Sequence, residues 1–177
     1  MSHVSPTTRA NLRPTAITLA TVAALIALLG ACAEPPVGPA APFAEVIEVI
    51  DGDTVLVRSG SHTESIRLLG IDTPEVAHHG QSAECFGPEA SERTMAIVPP
   101  GTVVHLARDV EARDAYGRVL AYVTGPDGTN VNLLLAAEGY ATPLAISPNF
   151  GLADTINALV DHARSAGVGL WGTCENP

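Results

Sequence analysis

The chain has 177 residues, which leaves room for one domain of ordinary size plus terminal extensions. It carries 19 acidic residues against nine basic ones, all of them arginine, and its formal net charge at pH 7 is −10. This charge excludes a protein that holds nucleic acid through a broad cationic surface, so any phosphate chemistry must rest on a local site.

Residues 1–32 are typical of an export signal. Arg9 and Arg13 form a positively charged region with no acidic residue near it, and an uncharged run follows at residues 16–29. That run is about as long as the apolar core of a signal peptide and shorter than the roughly 20 residues that a membrane-spanning helix needs. We therefore expect the protein to be exported.

The uncharged run ends in Leu29-Gly30-Ala31-Cys32, which resembles the lipobox of bacterial lipoproteins. The resemblance implies that Cys32 is lipidated, becomes the first residue of the mature chain and anchors the protein on the outer face of the membrane. The alternatives are a plain signal peptide cut near Ala31 or Ala33, which would give a secreted protein, or a short uncleaved anchor.

Residues 33–43 contain repeated Pro and Ala without apolar periodicity, which is typical of a semi-extended tether. The folded domain is therefore predicted to span residues 44–177, which is long enough to bury one core. Because all 19 acidic residues but only seven arginines follow Cys32, the chain beyond the signal carries a net charge of −12.

The remaining cysteines suggest a disulfide. If Cys32 is lipidated, Cys85 and Cys174 remain as one pair, and a disulfide is their expected state in the oxidising compartment that an exported protein meets. It would close a loop of about 90 residues and add about 4 kcal/mol of stability by restricting the unfolded chain. The alternative is two unrelated thiols.

The first half of the domain is rich in predicted strands. Two apolar runs, 45–50 and 54–58, flank Asp51-Gly52-Asp53, and Asp-Gly between apolar runs is a strong hairpin signal. Three more strands are predicted at residues 63–69, 102–108 and 118–124.

Three helices are predicted among and after these strands. They span residues 87–97, 131–138 and 152–165, and Gly139 and Gly167 follow the last two as left-handed caps. Five strands and three helices predict an α+β fold, mainly β, in which a five-stranded Greek-key barrel of the OB type is flanked by helices.

Acidic residues and arginines concentrate at the predicted strand ends. Asp53, Asp72 and Glu75 supply hard carboxylate oxygens, which suit Ca²⁺ because it tolerates irregular geometry and several waters. Arg67 and Arg118 can grip phosphate oxygens and stabilise the charge that builds on a pentacoordinate phosphorus. A carboxylate near the metal can orient or deprotonate an attacking water. Together they predict metal-assisted phosphodiester hydrolysis, although each segment alone also fits an ordinary turn or strand end.

Four segments carry a resemblance to a known family. They are residues 50–55 (IDGDTV), 66–75 (IRLLGIDTPE), 85–91 (CFGPEAS) and 114–118 (DAYGR). In this order and spacing they resemble the staphylococcal nuclease (thermonuclease) family over residues 46–171. The resemblance implies a five-stranded OB barrel with three helices, and an endonuclease that acts on DNA and RNA and leaves 3′-phosphate ends.

The resemblance also implies a metal site and a base. Asp53 and Asp72 correspond to the carboxylates that bind calcium, and Thr73 corresponds to the position that lends its backbone carbonyl. Glu75 corresponds to the general base on the attacking water, a role that is sometimes given as positioning of that water only. The expected cofactor is therefore Ca²⁺.

The resemblance places the substrate against two arginines and a tyrosine. Arg67 corresponds to the arginine that binds the phosphate and stabilises the transition state. Arg118 corresponds to a second phosphate-binding arginine that protonates the leaving 5′-oxygen. Tyr116 corresponds to a tyrosine that contacts the terminal phosphate of the nucleotide. The expected partner is DNA or RNA, and the chain is expected to work as a monomer without an obligate protein partner.

Two features depart from the family's pattern. The loop at residues 142–147 contains no aromatic residue where the best-known member has two tyrosines that flank base and sugar, and the chain has no lysine. Stacking on a base is worth about 1–3 kcal/mol, so weaker substrate binding is expected. The alternative function is therefore a non-catalytic barrel that binds an oligonucleotide or an envelope partner.

Overall fold

The structure, a computed structural model, describes residues 42–77 and 80–175. The predicted signal at residues 1–32, which includes Cys32, and nearly all of the predicted tether at 33–43 lie outside this part of the chain. No helix within the described residues is long and apolar enough to cross a membrane.

Five strands close into a barrel beside which the helices lie. In chain order the elements are β1 (Phe43–Val49), β2 (Thr54–Ser59), β3 (His62–Leu68), β4 (Gly70–Asp72), α1 (Gly87–Ile97), β5 (Val103–Ala107), β6 (Val119–Thr124), α2 (Val131–Ala137), β7 (Thr142–Leu144), α3 (Ala153–Ala166) and α4 (Leu170–Thr173). The barrel order is β1-β2-β3-β6-β5, and only the β3–β6 pair is parallel. The predicted five-stranded barrel with three helices is confirmed.

β1 shows how the sequence builds the barrel wall. Ala44 and Val46 point into the core two residues apart, as alternation in a strand requires. The next core residue is Val49, because the register with β2 shifts between Val46 and Glu48. A bulge at this point keeps Glu48 out of the core and increases the local twist.

β3 is exposed at its start and buried at its end, and the buried end leads into the candidate site. His62 and Thr63 are exposed, whereas Ile66, Arg67 and Leu68 are all buried. At this end β3 pairs with β2 on one side and with β6 on the other. Ile66 and Leu68 belong to the core, so the intervening Arg67 is a cation that must find bonded partners in a buried position.

Three short elements were missing from the sequence-based prediction. β4 and β7 form a two-stranded sheet of their own, and α4 follows α3 near the C-terminus. Segments of three or four residues carry too little periodicity to be recognised. Gly70, the first residue of β4, has a φ of +81°, a conformation that favours glycine. The predicted strand at residues 63–69 therefore ends at Leu68, and the described chain has seven strands, five of them in the barrel.

A disulfide joins Cys85 to Cys174, with Cα atoms 5.9 Å apart and a sequence separation of 89 residues. It ties the chain just before α1 to the residue that follows α4. These are the two cysteines that the sequence predicted to pair, and the alternative of two unrelated thiols is wrong.

Asn132, in the first turn of α2, joins this helix to the barrel from a fully buried position. Its Oδ1 accepts a hydrogen bond from Val123 N at 2.9 Å, and its Nδ2 donates to the carbonyl of Leu69 at 2.8 Å. The amide therefore satisfies two backbone groups that water does not reach.

Glu64 of β3 braces the loop that precedes β6. Arg113 donates from Nη1 and Nη2 to the two carboxylate oxygens of Glu64, each at 2.9 Å, and Nη1 also donates to the carbonyl of Gly117 at 2.8 Å. The hydrogen bonds from Arg113 hold the pKa of Glu64 below its ordinary value of 4.5, against the opposing effect of burial.

Replacing Asn132 by alanine should lower the free energy of unfolding by about 3 kcal/mol, because the N–H of Val123 and the carbonyl of Leu69 would be left without these partners. Urea unfolding followed by circular dichroism measures the change. Asn130→Ser is the matched control, since serine keeps the N-cap acceptor that the N–H of Leu133 uses. A loss well below about 1 kcal/mol for Asn132→Ala would contradict this role.

Replacing Glu64 by glutamine should lower the free energy of unfolding at pH 7 by about 1 kcal/mol, because the ion pair is two-pronged but partly screened by solvent. The pKa of Glu64 is lower in the folded state, so the advantage of the wild type is present above the ordinary value of 4.5 and is lost as the pH falls through the folded pKa. Urea unfolding of both proteins at a series of pH values tests this. A difference that persisted below the folded pKa would contradict it.

Candidate active site

The turn Asp51-Gly52-Asp53 between β1 and β2 is fixed by its own side chains and by α1. Asp53 N donates to Asp51 Oδ1 at 3.0 Å, so Asp51 supports the turn. Thr94 Oγ1 of α1 donates to the carbonyl of Gly52 at 2.6 Å. A Cβ on Gly52 would lie 2.6 Å from Thr73 Oγ1, so the close packing of the turn against Thr73 requires glycine.

The carboxylate of Asp53 is buried and fully engaged. Its Oδ2 accepts hydrogen bonds from Thr73 N at 2.8 Å and from Thr73 Oγ1 at 3.2 Å. Its Oδ1 accepts from Thr54 Oγ1 at 3.1 Å and lies 3.2 Å from Arg67 Nε. Asp53 therefore joins the turn after β1, the segment after β4 and the arginine of β3 at one point.

The surroundings of Asp53 carry an excess of negative charge. Its pKa is raised from 3.8 to about 7, first by burial; Arg67 lowers it, and the neighbouring carboxylates of Asp51 and Asp72 raise it. A buried acid whose ionised form is disfavoured in this way is stabilised as an anion by any added cation. The electrostatics of the site therefore favour the binding of a positive ion.

Arg67 is the most constrained side chain of the site. Its Nη1 donates to the carbonyls of Leu68 and Ile71, both at 2.8 Å, and its Nη2 donates to Asp72 Oδ1 at 2.6 Å. Together with the contact from Nε to Asp53, these bonds fix the plane of the guanidinium. The side chain is only 11% exposed, so its charge acts in a medium of low polarity.

Arg118 lies directly before β6 and is held by Asp114. Asp114 Oδ2 accepts from Arg118 Nε at 2.7 Å, and Asp114 Oδ1 accepts from the backbone N–H groups of Tyr116 and Arg118. Burial acts to raise the pKa of Asp114, but the hydrogen bonds from Arg118 and Tyr116 outweigh it and the pKa is lowered. Asp114 is thus an anion that shapes the turn and orients Arg118.

Five of the predicted site residues line one cavity of about 540 Å³: Arg67, Asp72, Glu75, Tyr116 and Arg118. The parallel pairing of β3 with β6 places Ile66 beside Val119, which brings Arg67 and Arg118 to the same end of the barrel. Asp53 lies behind this cavity, bonded to Arg67. Thr73 lies on the far side of Asp72 and lines a second cavity of about 460 Å³.

Tyr116 is 86% exposed, and the guanidinium carbon of Arg118 lies 5.7 Å from the centre of its ring. The ring is therefore accessible to a ligand that also contacts Arg118. The position agrees with the predicted contact to a phosphate, which stays a prediction.

The wall of the cavity opposite the acidic segment was not predicted as a site. Leu144, the last residue of β7, and Ile146, two residues later, line it and are 37% and 61% exposed. The predicted loop at residues 142–147 thus begins with a strand. Asn149 is buried behind them and bonds the backbone of Glu111 through both atoms of its amide. The signal for this wall is the apolar content of residues 142–147, which sequence analysis noted only for its lack of tyrosine.

Asp114 is the other residue whose role sequence analysis missed. It belongs to the DAYGR segment, and an Asp four residues before an arginine with Gly117 between them is a turn signal. Gly117 has a φ of +84° and its N–H donates to the carbonyl of Asp114. The segment was recognised as a turn, but not the local bond, four residues in span, by which Asp114 orients Arg118.

The donor set fits a hard cation such as Ca²⁺. Within residues 42–77 and 80–175, no group of three or more His, Cys, Asp or Glu side chains is arranged to hold a metal ion. The candidate oxygen donors are the carboxylates of Asp53 and Asp72, which both contact Arg67, and the backbone carbonyl of Thr73, which follows Asp72 in the chain. Two carboxylates, a carbonyl and waters suit Ca²⁺.

Comparison with known proteins supports the resemblance seen in the sequence. The chain is 34% identical over 128 residues to a thermonuclease of Staphylococcus hyicus, which covers 72% of this chain and 74% of that protein. It is 34% identical over 126 residues to a thermonuclease of Staphylococcus intermedius, with 71% and 74% covered. A match of 34% over 145 residues to the endonuclease YhcR of Bacillus subtilis (strain 168) covers 77% of this chain and 12% of that longer protein.

A family model is matched as well. The model described as "Staphylococcal nuclease homologue" matches residues 65–173, from β3 to α4. This range contains Arg67, Asp72, Glu75 and Arg118 together with Cys85, one of the two disulfide partners. The chain therefore belongs to the staphylococcal nuclease homologue family.

Proposed function

We propose that this chain is an exported, calcium-dependent endonuclease that hydrolyses the phosphodiester bonds of DNA and RNA and leaves 3′-phosphate ends. The observation that carries the proposal is the single cavity lined by two arginines and two carboxylates, Arg67, Arg118, Asp72 and Glu75. Membership of a nuclease family supports the same reaction.

Asp53, Asp72 and the carbonyl of Thr73 are the groups proposed to hold calcium. Bound there, the ion supplies Lewis-acid polarisation of a phosphate oxygen and offsets the negative charge of the substrate. Asp53 is a negatively charged ligand only when its carboxyl group is ionised. Because its pKa is raised to about 7, binding of the ion and loss of the proton from Asp53 are coupled.

The two arginines are proposed to bind the scissile phosphate. Arg67 is held rigidly by two backbone carbonyls, so little reorganisation is needed when charge builds on the phosphate oxygens. Arg118 is bonded to Asp114 through Nε, and no other protein partner of its guanidinium is present in the described part of the chain except the ring of Tyr116. Its terminal nitrogens are the groups proposed to contact phosphate.

Glu75 is proposed to accept a proton from the attacking water. The water oxygen forms a bond to phosphorus, the bond from phosphorus to the 5′-oxygen breaks, and Arg118 supplies the proton to that oxygen. The phosphate stays on the 3′-oxygen, and Tyr116 contacts a terminal phosphate of the substrate. The reaction needs no oxidant or reductant. The proton on Glu75 returns to solvent, and Arg118 regains a proton from solvent.

Substrate attraction must be local, because the chain beyond Cys32 carries a net charge of −12. Leu144 and Ile146 offer an apolar surface for a base but not the stacking that aromatic rings provide. We therefore expect a high KM and only a shallow dependence of binding on salt, because a few phosphate contacts release few counterions.

The acidic surface and the aliphatic loop favour one competing function, a non-catalytic barrel that binds an oligonucleotide or an envelope partner. The presence of Glu75 and both arginines in the cavity supports the enzyme instead, since binding alone needs no base beside the phosphate site. The experiment below separates the two.

Purified protein should nick supercoiled plasmid DNA with calcium and leave it intact with a chelator, as gel electrophoresis would show. Glu75→Gln, which keeps the shape of the side chain, should lower kcat by a factor of about 100 or more, because general-base catalysis contributes about that much. Arg67→Lys and Arg118→Lys keep the charge but lose the two-pronged bond, and each should lower kcat/KM by orders of magnitude, about 10² or more.

Glu92→Gln serves as the charge-matched control, because the side chain of this exposed residue of α1 makes no hydrogen bond or ion pair with the described part of the chain. If the pure protein bound an oligonucleotide in a salt-dependent way but never cleaved it with calcium, the binding function would replace the enzyme.

The proposed location is the cell envelope, with the chain anchored through a lipid on Cys32 by the tether at residues 33–43. Mass spectrometry of the protein isolated from its native membrane should show a lipid-modified Cys32 as the first residue, and Cys32→Ser should abolish the modification. A mature chain that begins near Ala33 without a lipid would show a secreted protein instead.

A further inference from the structure

The backbone of Glu75 is hydrogen-bonded to Glu84, nine residues later in the chain. Glu84 Oε2 accepts a hydrogen bond from Glu75 N at 3.0 Å, and Glu84 N donates to the carbonyl of Glu75 at 2.9 Å. Glu84 thus satisfies both backbone groups of Glu75, one with its carboxylate and one with its own N–H.

Gly87 brings a second close contact to the same residue. A Cβ on Gly87 would lie 2.2 Å from the carbonyl oxygen of Glu75 and 3.1 Å from that of Pro74, so only glycine allows this approach. Gly87 is the first residue of α1, and its N–H donates to the carbonyl of Glu84 at 3.1 Å. The segment of residues 84–87 is therefore packed directly on the backbone of Glu75.

This segment is itself held in place from two sides. Cys85 is bonded covalently to Cys174 after α4, and Phe86, with a φ of +73°, packs its ring 5.3 Å from that of Tyr140. Glu75, by contrast, is exposed and follows β4 outside any described helix or strand. The position of its Cα and the direction of its Cα–Cβ bond are set by its backbone, so the bonds that fix this backbone bear on where its carboxylate lies.

We propose that Glu84 is a positioning residue for Glu75, which holds the backbone of Glu75 so that its carboxylate faces the cavity of Arg67 and Arg118. This inference rests on the proposed function of Glu75. Glu84 also lines the second cavity beside Asp72 and Thr73, but the same carboxylate is bonded to Glu75 N. Its action on the reaction passes through Glu75.

Glu84→Ala and Glu84→Gln separate positioning from charge. Alanine removes the acceptor for Glu75 N, whereas glutamine keeps an oxygen acceptor and loses the charge. In plasmid nicking and in cleavage of a short oligonucleotide with calcium, Glu84→Ala should lower kcat about tenfold, the value of one hydrogen bond, with KM unchanged. Glu84→Gln should stay within about twofold of the wild type, and Glu92→Ala, which removes a charge of the same sign elsewhere, should behave as the wild type.

A double-mutant cycle tests whether Glu84 acts through Glu75. In the Glu75→Gln background, the additional change Glu84→Ala should lower the residual rate by less than about twofold, because the positioned carboxylate is already gone. Hydrogen exchange at the N–H of Glu75 gives a readout independent of cleavage, and it should be faster in Glu84→Ala than in Glu84→Gln or the wild type.

Each contrary outcome overturns the proposal in a recognisable way. A Glu84→Ala protein with wild-type kcat, or one that lowers the rate of Glu75→Gln by the same tenfold factor, shows that Glu84 does not position Glu75. Equal loss in Glu84→Ala and Glu84→Gln assigns the effect to charge. If the wild type itself does not cleave, the proposed function falls and the positioning role falls with it, whereas a cleaving wild type with an insensitive Glu84 overturns this inference alone.

Discussion

The burial of one cation, Arg67, is the constraint on which both barrel and site depend. A buried guanidinium needs bonded partners, and here it is bonded to two carboxylates and two backbone carbonyls from three segments of the chain. Removing Arg67 would leave the buried carboxylate of Asp53 without its cationic partner, and removing Asp53 would leave Arg67 with Asp72 as its remaining carboxylate partner. The fold therefore preserves the charged site as a condition of its own stability, and the barrel end and the reacting groups form one unit.

The sequence was sufficient to predict the parts of the fold that have long periodic segments or strong local signals. The five barrel strands, the Asp-Gly turn and α1 at residues 87–97 have alternation, a turn pair and an N-terminal proline to mark them. β4, β7 and α4 are too short to show a period in the sequence. β4 and β7 form because Gly70 redirects the chain after β3 and because the two segments pair with each other. Such elements follow from the completed structure and not from local preference.

The candidate site likewise has a part that the sequence predicted and a part that it did not. Carboxylates and arginines in ordered motifs identified Arg67, Asp72, Glu75 and Arg118, which line one cavity. The hydrogen bond between Asp114 and Arg118 was only suggested by the turn signal. The hydrogen bond between Glu84 and Glu75 joins residues nine positions apart, and no local sequence pattern indicates it. Residues that act through other residues have no chemical signature of their own, so the sequence reveals reacting groups more readily than the groups that aim them.

The disulfide between Cys85 and Cys174 makes the completion of the fold depend on the compartment in which the protein is found. It anchors the chain on which α1 and the neighbouring loop depend, yet it forms only where the surroundings oxidise thiols. A newly made chain in a reducing cytosol carries the same sequence without this link, and the segment beside Glu75 is then held only by hydrogen bonds and packing. Whether the disulfide forms is thus decided by the chemistry of the compartment, whereas the sequence specifies only which two cysteines the disulfide joins.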